Sequence, residues 1–229
     1  MPRTQHVASK ADRKTAGKTA GKTAGKKRSN GIAAREKILD AAAEIATERG
    51  YEGTSISLVS KRSGFPASSI YWHFNDKDDL ITAVIERSFG AWLQALRDQG
   101  APDIERPLEE IVVQQAEKYT ESIKASPDFL RLGLMLGLEK RPEDPTARKM
   151  FLKVRSQAFR NAVRDYGEWL PDLEQEDLED LASFVIALAD GFFISQQVAD
   201  ETQDMMNRPD LHAAAVLGVI EAIRRQREH

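Results

Sequence analysis

The sequence predicts an all-α protein: an N-terminal three-helix unit of helix-turn-helix layout, followed by a larger C-terminal helical domain. Three observations carry this. Apolar residues recur at helical intervals, as in Ile38, Ala42, Ile45 and Ala46, a spacing that gathers side chains on one face. The stretch Thr54 to Lys77 sets two short amphipathic segments about Gly64. Beyond Pro107 the apolar stretches are separated by Pro142, Pro145 and Pro171, residues that end helices rather than continue them.

Residues 1–30 precede the first of these elements. They contain the repeat KTAGKTAGKTAGKK and hold nine Lys and Arg against one acid, Asp12. Without large apolar residues the segment has little to offset the entropy of ordering, so a disordered basic tail is expected. The chain's formal charge of −3 therefore divides into +8 for this tail and −11 for the rest. A basic arm on an acidic body suggests polyanion contact at one end, with counterion release adding non-specific affinity for nucleic acid.

The first helix is expected over Gly31 to Arg49, with Leu39 beside its apolar stripe and Gly50 ending it. Thr54 or Ser55 is a natural N-cap for the second, which runs to Ser63. Gly64 supplies the turn. The third helix, from Pro66 to His73, has Ile70 and Phe74 as apolar pins four residues apart. Its other face carries Ala67, Ser68, Ser69, Tyr71, Trp72 and His73: small residues first, then aromatics with polar tips. Small residues let a helix sit deep in a major groove, and polar tips reach phosphates. Ser57 lies one turn into the second helix, within reach of a base edge. Trp72 suits core, groove wall or both. Lys77 stands at the start of the fourth helix, where a cation opposes the dipole; a bound phosphate would explain it.

Arg35 to Leu80, about one fifth of the chain, resembles the DNA-binding domain of the TetR family of bacterial transcription regulators (TetR/AcrR-like). The matching residues are Ile38, Leu39, Ala41 and Ala42, then Gly50, Tyr51, Thr54 and Ser55, then Gly64, then Ile70 to Phe74, Lys77 and Leu80. Pro66 and Ser68 depart from the family, which usually has a polar capping residue and often a glycine there. The resemblance implies that Ala67, Ser68 and Ser69 face the groove, that Tyr71 and His73 hold phosphates, and that the end of the second helix at Thr54 and Ser55 abuts one. No Arg, Asn or Gln lies on this face for a bidentate base contact.

The fourth helix, 77–97, carries a wide apolar stripe from Leu80 to Leu96 and is shared between an N-terminal domain of residues 31–77 and a second domain of residues 98–229. That second domain reads as helices over Leu108–Lys124, Phe129–Leu138, Ala147–Tyr166, Leu178–Val198 and Leu211–Arg227. Gly133 and Gly137 in the second of these allow close contacts. The stretch LASFVIALADGFFI is apolar nearly all round, so it needs burial on more than one side. The resemblance makes the second domain a ligand-binding and dimerisation domain, with its last two helices pairing with their copies in a homodimer. It also implies a small-molecule pocket, for which Tyr119, Phe129, Met135, Phe151, Phe159, Phe184 and Phe192 are candidate lining residues. Few polar groups fall among these stripes, so a hydrophobic or amphipathic effector is expected.

The expected function is a DNA-binding regulator, most often a repressor in that family, reading a palindromic operator in double-stranded DNA and released by a small molecule. The alternative is a ligand-independent architectural DNA-binding protein using the basic arm. Catalysis is not expected: there is no Cys, no Gly-rich phosphate loop, no HExxH and no defensible Ser/His/Asp set. Nor is a cofactor or metal, since His6, His73, His212 and His229 lack ligand spacing. Absence of Cys suits a reducing cytoplasm, here beside the nucleoid. The longest apolar run, Phe184 to Ala189, stops at Asp190, so no membrane span is expected.

Overall fold

The computed structural model describes residues 12–125, 127–138, 145–198 and 208–227, with side chains from residue 30 onward. Among these residues it is all helix. The order is α1 (Asp12–Gly53), α2 (Ile56–Ser63), α3 (Ala67–His73), α4 (Lys77–Asp98), α5 (Leu108–Ala125), α6 (Pro127–Leu138), α7 (Thr146–Trp169), α8 (Gln175–Val198) and α9 (Pro209–Arg227). The bounds of α1 run N-terminal of the expected start at Gly31. The expectation of a disordered tail falls on residues 1–11, which lie outside the described residues, and on 12–29, whose side chains do.

Helix ends follow local chemistry. At Gly50 the backbone leaves helical geometry at φ 72°, a conformation cheap only for glycine. The Thr54 hydroxyl then donates to the freed Gly50 carbonyl at 2.8 Å. Ser55 caps α2, accepting from the Leu58 N–H at 3.3 Å. Gly64, at φ 75°, closes α2 by donating its N–H to the Ser60 carbonyl. Ser60 in turn donates its hydroxyl to the Phe65 carbonyl at 2.7 Å, fixing the turn. Pro66 stands just outside α3 as its N-cap rather than at its first helical position.

One apolar core joins Ile38, Leu39 and Ile45 of α1, Val59 of α2 and Ile70 of α3 to Leu80, Ile81 and Ile85 of α4. It continues through Trp92 into Phe129 and Leu132 of α6, Phe151 of α7 and Phe193 of α8. A second core joins α5, α7, α8 and α9 around Val112, Val163, Leu181, Ala213 and Ile220. Helix α4, about 33 Å long at 1.5 Å per residue, thus carries the helix-turn-helix unit on one end and the larger bundle on the other.

Helix α8 corrects the reading of the apolar runs: by length and composition it could cross a membrane, and 22% of its apolar window is buried. A strict search for an uninterrupted run stops at Asp190, but the acids other than Asp190 cluster in the first turns of α8, and Asp190 is the one charge in its last 18 residues, 181–198. Asp190 is paired within the fold, with both carboxylate oxygens accepting from the Arg155 guanidinium of α7.

Candidate functional site

The helix-turn-helix presents one side of α3 to solvent. Ile70 and Phe74 are buried against α1, so the opposite side of α3 faces outward. Ser68 is exposed there, and Ala67, Ser69 and His73 are half-buried. Tyr71 and Trp72 are 56% and 77% exposed. Two large aromatics thus stand in solvent side by side, on a helix whose Ile70 and Phe74 are packed inward. Trp72 is therefore not core: its ring stands edge-on to His73 at 4.5 Å, near Gly31 of α1. Ser57 is exposed in the first turn of α2.

Burial, and then the nearby Arg35 charge, hold His73 below the ordinary histidine range, so it is neutral at pH 7. Arg35 lies over the Phe74 ring at 5.3 Å. Arg35 is a basic residue at this edge that the sequence analysis did not place in the site. The signal was available: Gly31 and Arg35 are one helical turn apart, on the α1 face that meets α3.

Two expected phosphate contacts have other partners. Thr54 is only 2% exposed and its hydroxyl is committed to Gly50, which leaves Ser55 as the exposed residue of that pair. Lys77 donates to the Tyr51 carbonyl at 3.2 Å and to Glu52 at 3.3 Å, and lies over the Tyr51 ring at 4.2 Å. The electronegative C-terminus of α1 offsets the cost of a cation at the start of α4. Arg62 bridges Glu44 and Glu48 of α1, clamping α2 to α1.

The larger domain encloses a cavity of about 490 Å³ among α4 to α9, within the usual range for small-molecule sites. Of the seven candidate lining residues, Tyr119 and Phe129 line it. The other five are corrected by helix phase. Phe151 is packed against Gly133, Phe159 against the second core and Phe192 on the His212 ring at 3.8 Å. Phe184 is half-buried outside the cavity wall. Met135 is 42% exposed and its methyl abuts Gly50.

The wall is more polar than the apolar stripes suggested. Gln115, Lys118, Arg155, Asn161, Asp190 and His212 all contribute. Burial, and then the Asp190 charge, push the Tyr119 phenol up, so it stays protonated. Burial likewise lowers His212, leaving it neutral. Among the described residues no cluster of His, Cys, Asp and Glu could hold a metal.

Two links connect the cavity wall to the helix-turn-helix. Phe129 and Leu130 of α6 line the cavity, while Asp128 beside them accepts from the Thr47 hydroxyl of α1 at 2.9 Å. Asp78 at the start of α4 accepts from the Thr146 and Ala147 N–H groups of α7, at 2.6 and 3.1 Å, and from the Tyr51 hydroxyl at 3.2 Å.

Residues 38–84 match the family described as bacterial regulatory proteins, tetR family. The chain is 24% identical over 185 residues to the HTH-type transcriptional repressor AcnR of Corynebacterium glutamicum, covering 78% of this chain and 89% of that one. It is 39% identical over 54 residues to the HTH-type transcriptional regulator AcrR of Shigella flexneri. That match spans a quarter of each protein, 24% of this chain and 25% of AcrR. In fold it is similar to the transcriptional regulator FadR of Bacillus subtilis, solved in complex with stearoyl-CoA. The TM-score is 0.63 at 17% identity, over 79% of this chain and 96% of that one.

Proposed function

We propose that the chain is a tetR-family DNA-binding transcriptional regulator, as its similarity to that family supports, and that it acts as a repressor: a homodimer on a palindromic operator, released by a small amphipathic molecule in the cavity. The observation that carries this is the outward face of α3, with Tyr71 and Trp72 exposed beside Ala67, Ser68 and Ser69. Ser57, Ala67, Ser68 and Ser69 read bases, while Ser55, Tyr71, Trp72, His73 and Arg35 set register on the backbone. With no bidentate donor on this face, each base contact discriminates by less than the ~1–3 kcal/mol of a good bidentate pair.

The homodimer draws support from α8 and α9. Ile194, Val198 and Leu211 are 42%, 80% and 38% exposed, and α8 is apolar on more faces than one chain covers. A second copy covering both helices places two recognition helices on successive major grooves. Ile194→Arg should give a monomer by analytical ultracentrifugation and weaken operator binding by more than tenfold. A dimer of undiminished stability would rule this surface out.

Release follows from linkage. An effector that binds better to a dimer with wrongly spaced α3 helices lowers DNA affinity by the same factor as DNA lowers its own. The contacts of Asp128 and Asp78 with α1 and α7 are the route from cavity to helix-turn-helix.

The test is selection of bound fragments from sheared genomic DNA of the source organism, at about 0.15 M salt where non-specific binding is weakened. A variant lacking residues 1–30 is run alongside. A shared palindrome retained by both forms supports the operator reading. Retention without a common sequence, lost on truncation, overturns it for the architectural alternative. On the selected site, Tyr71→Phe should weaken binding to every sequence alike, by about 1 kcal/mol for one hydrogen bond. Ser68→Ala should instead change preference at one base pair, read by fluorescence anisotropy across single-base variants.

A further inference from the structure

We propose that the cavity selects an amphipathic monoanion, with a carboxylate seated on Lys118 and Gln115 and an apolar tail among Leu96, Ile123 and Phe129. The inference rests on the reading of this cavity as the effector site and names the chemistry of its occupant.

Lys118 is 8% exposed and lines the cavity. Its ammonium donates to the Gly100 carbonyl at 3.0 Å, and no carboxylate pairs with it among the described residues. A buried ammonium held by one neutral carbonyl is poorly compensated, because two of its three donors and its charge are unmatched. The other charges on the wall do not supply the match. Arg155 is paired with Asp190 and Arg164 with Asp165. Arg97 and Glu168 are exposed to solvent.

Three further polar atoms on the same wall are buried without a hydrogen-bond partner: Trp92 Nε1, Gln115 Nε2 and His212 Nε2. Trp92 is 7% exposed and His212 5%. The indole N–H only donates, as does an ammonium. Gln115 lies one helical turn before Lys118, so their heads share a face of α5. A cavity whose unmatched indole and amide N–H groups donate beside a cation, with His212 Nε2 able to donate or accept by tautomer, calls for an occupant that accepts and is negative. An ionised carboxylate does both, since it has two oxygens and no donor.

The same wall carries Trp92, Tyr119 and Phe129, rings that could face an organic cation. The one carboxylate that such a ligand would use deep in the wall, Asp190, already holds Arg155, and Lys118 repels a positive head. The electrostatics therefore favour the anion. A volume of about 490 Å³ holds roughly sixteen heavy atoms, if each takes about the 30 Å³ of a liquid water. A twelve-carbon carboxylate fits.

The test is calorimetric titration of the full chain with dodecanoate, dodecanol and dodecyltrimethylammonium, each below its micelle-forming concentration. Operator release by each is followed in parallel. Dodecanoate should bind at least tenfold more tightly than dodecanol, and the ammonium more weakly than either. Lys118→Met, close in volume to the side chain it replaces, should erase the carboxylate's margin while leaving dodecanol binding equal or tighter. Equal affinity of carboxylate and alcohol in the unmodified protein, or a margin that survives in Lys118→Met, overturns the proposal while leaving the effector site standing. Absence of binding by all three overturns both. If Lys118→Met does not fold, the three-probe series on the unmodified protein decides the matter alone.

Discussion

Gly133→Ala should destabilise the protein by about 1–3 kcal/mol, the range for overpacking a filled core, although alanine is the better helix former by about 1 kcal/mol. A Cβ at Gly133 would stand 2.0 Å from Cε2 and 2.2 Å from Cδ2 of Phe151. Real contacts of that kind stay beyond 3.0 Å, so the ring must move. It has little room: Phe151 is 2% exposed, its centroid is 5.8 Å from that of Phe129, and its far edge meets Gly137. Helix α6 can approach α7 this closely only without a side chain at 133. The sign of the effect should therefore reverse with the partner. In a Phe151→Ala background, itself destabilised by about 3–5 kcal/mol, Gly133→Ala should become neutral or stabilising, because the clash is gone and the propensity gain remains. Urea unfolding of the four proteins of this cycle measures the coupling directly. Additive effects would mean that Phe151 does not set the approach of the two helices.

The helix-turn-helix was legible because every level of the sequence agrees there. Gly64 marks a turn, Ser55 a cap, and Ile70 and Phe74 an inward face, and each constrains where Ser68, Tyr71 and Trp72 must point. The tertiary partner of Lys77 was not legible: its cost at the start of α4 was clear, but the carbonyl end of α1 that offsets it lies 26 residues earlier in sequence. In the larger domain the helices were legible to within a few residues while the cavity was not. Choosing aromatics by type gave Tyr119 and Phe129 and missed the phase of the others. Helix α8 is apolar on nearly every side, so periodicity could not say which way Phe184 and Phe192 face. The polar part of the wall did leave a trace. Ile111, Gln115, Lys118 and Ser122 recur at spacings of four, three and four on α5, which sets Lys118 on a stripe with a buried isoleucine and a buried serine.

Asp78→Ala should lower stability by about 2–3 kcal/mol, combining a lost helix cap with a lost charge-assisted acceptor, or about 2–4 °C of Tm per kcal/mol in a chain of this size. Helix α7 begins after Pro145, which has no side chain to cap it. Its first N–H groups are met instead by a carboxylate from the start of α4, 68 residues away. The same carboxylate holds the Tyr51 hydroxyl at the end of α1. Burial alone would raise Asp78, but the hydrogen bonds from Ala147, Thr146 and Tyr51 outweigh it and hold the group below the ordinary 3.8. A carboxylate depressed in the folded state contributes stability that is fully present above the unfolded pKa and is lost as pH falls through the folded one. The stability gap between the unmodified protein and Asp78→Asn should therefore be constant from pH 7 to about 5, and should close as pH falls below about 4. A gap independent of pH would assign the effect to shape rather than charge. Because α7 also lines the cavity and α1 packs against α2 and α3, Asp78→Ala should weaken the coupling as well as the fold. Operator binding should persist at 10 °C, where the variant remains folded, while its sensitivity to whichever dodecyl probe releases the unmodified protein falls. Undiminished release would place the coupling in the Thr47–Asp128 contact between α1 and α6 instead.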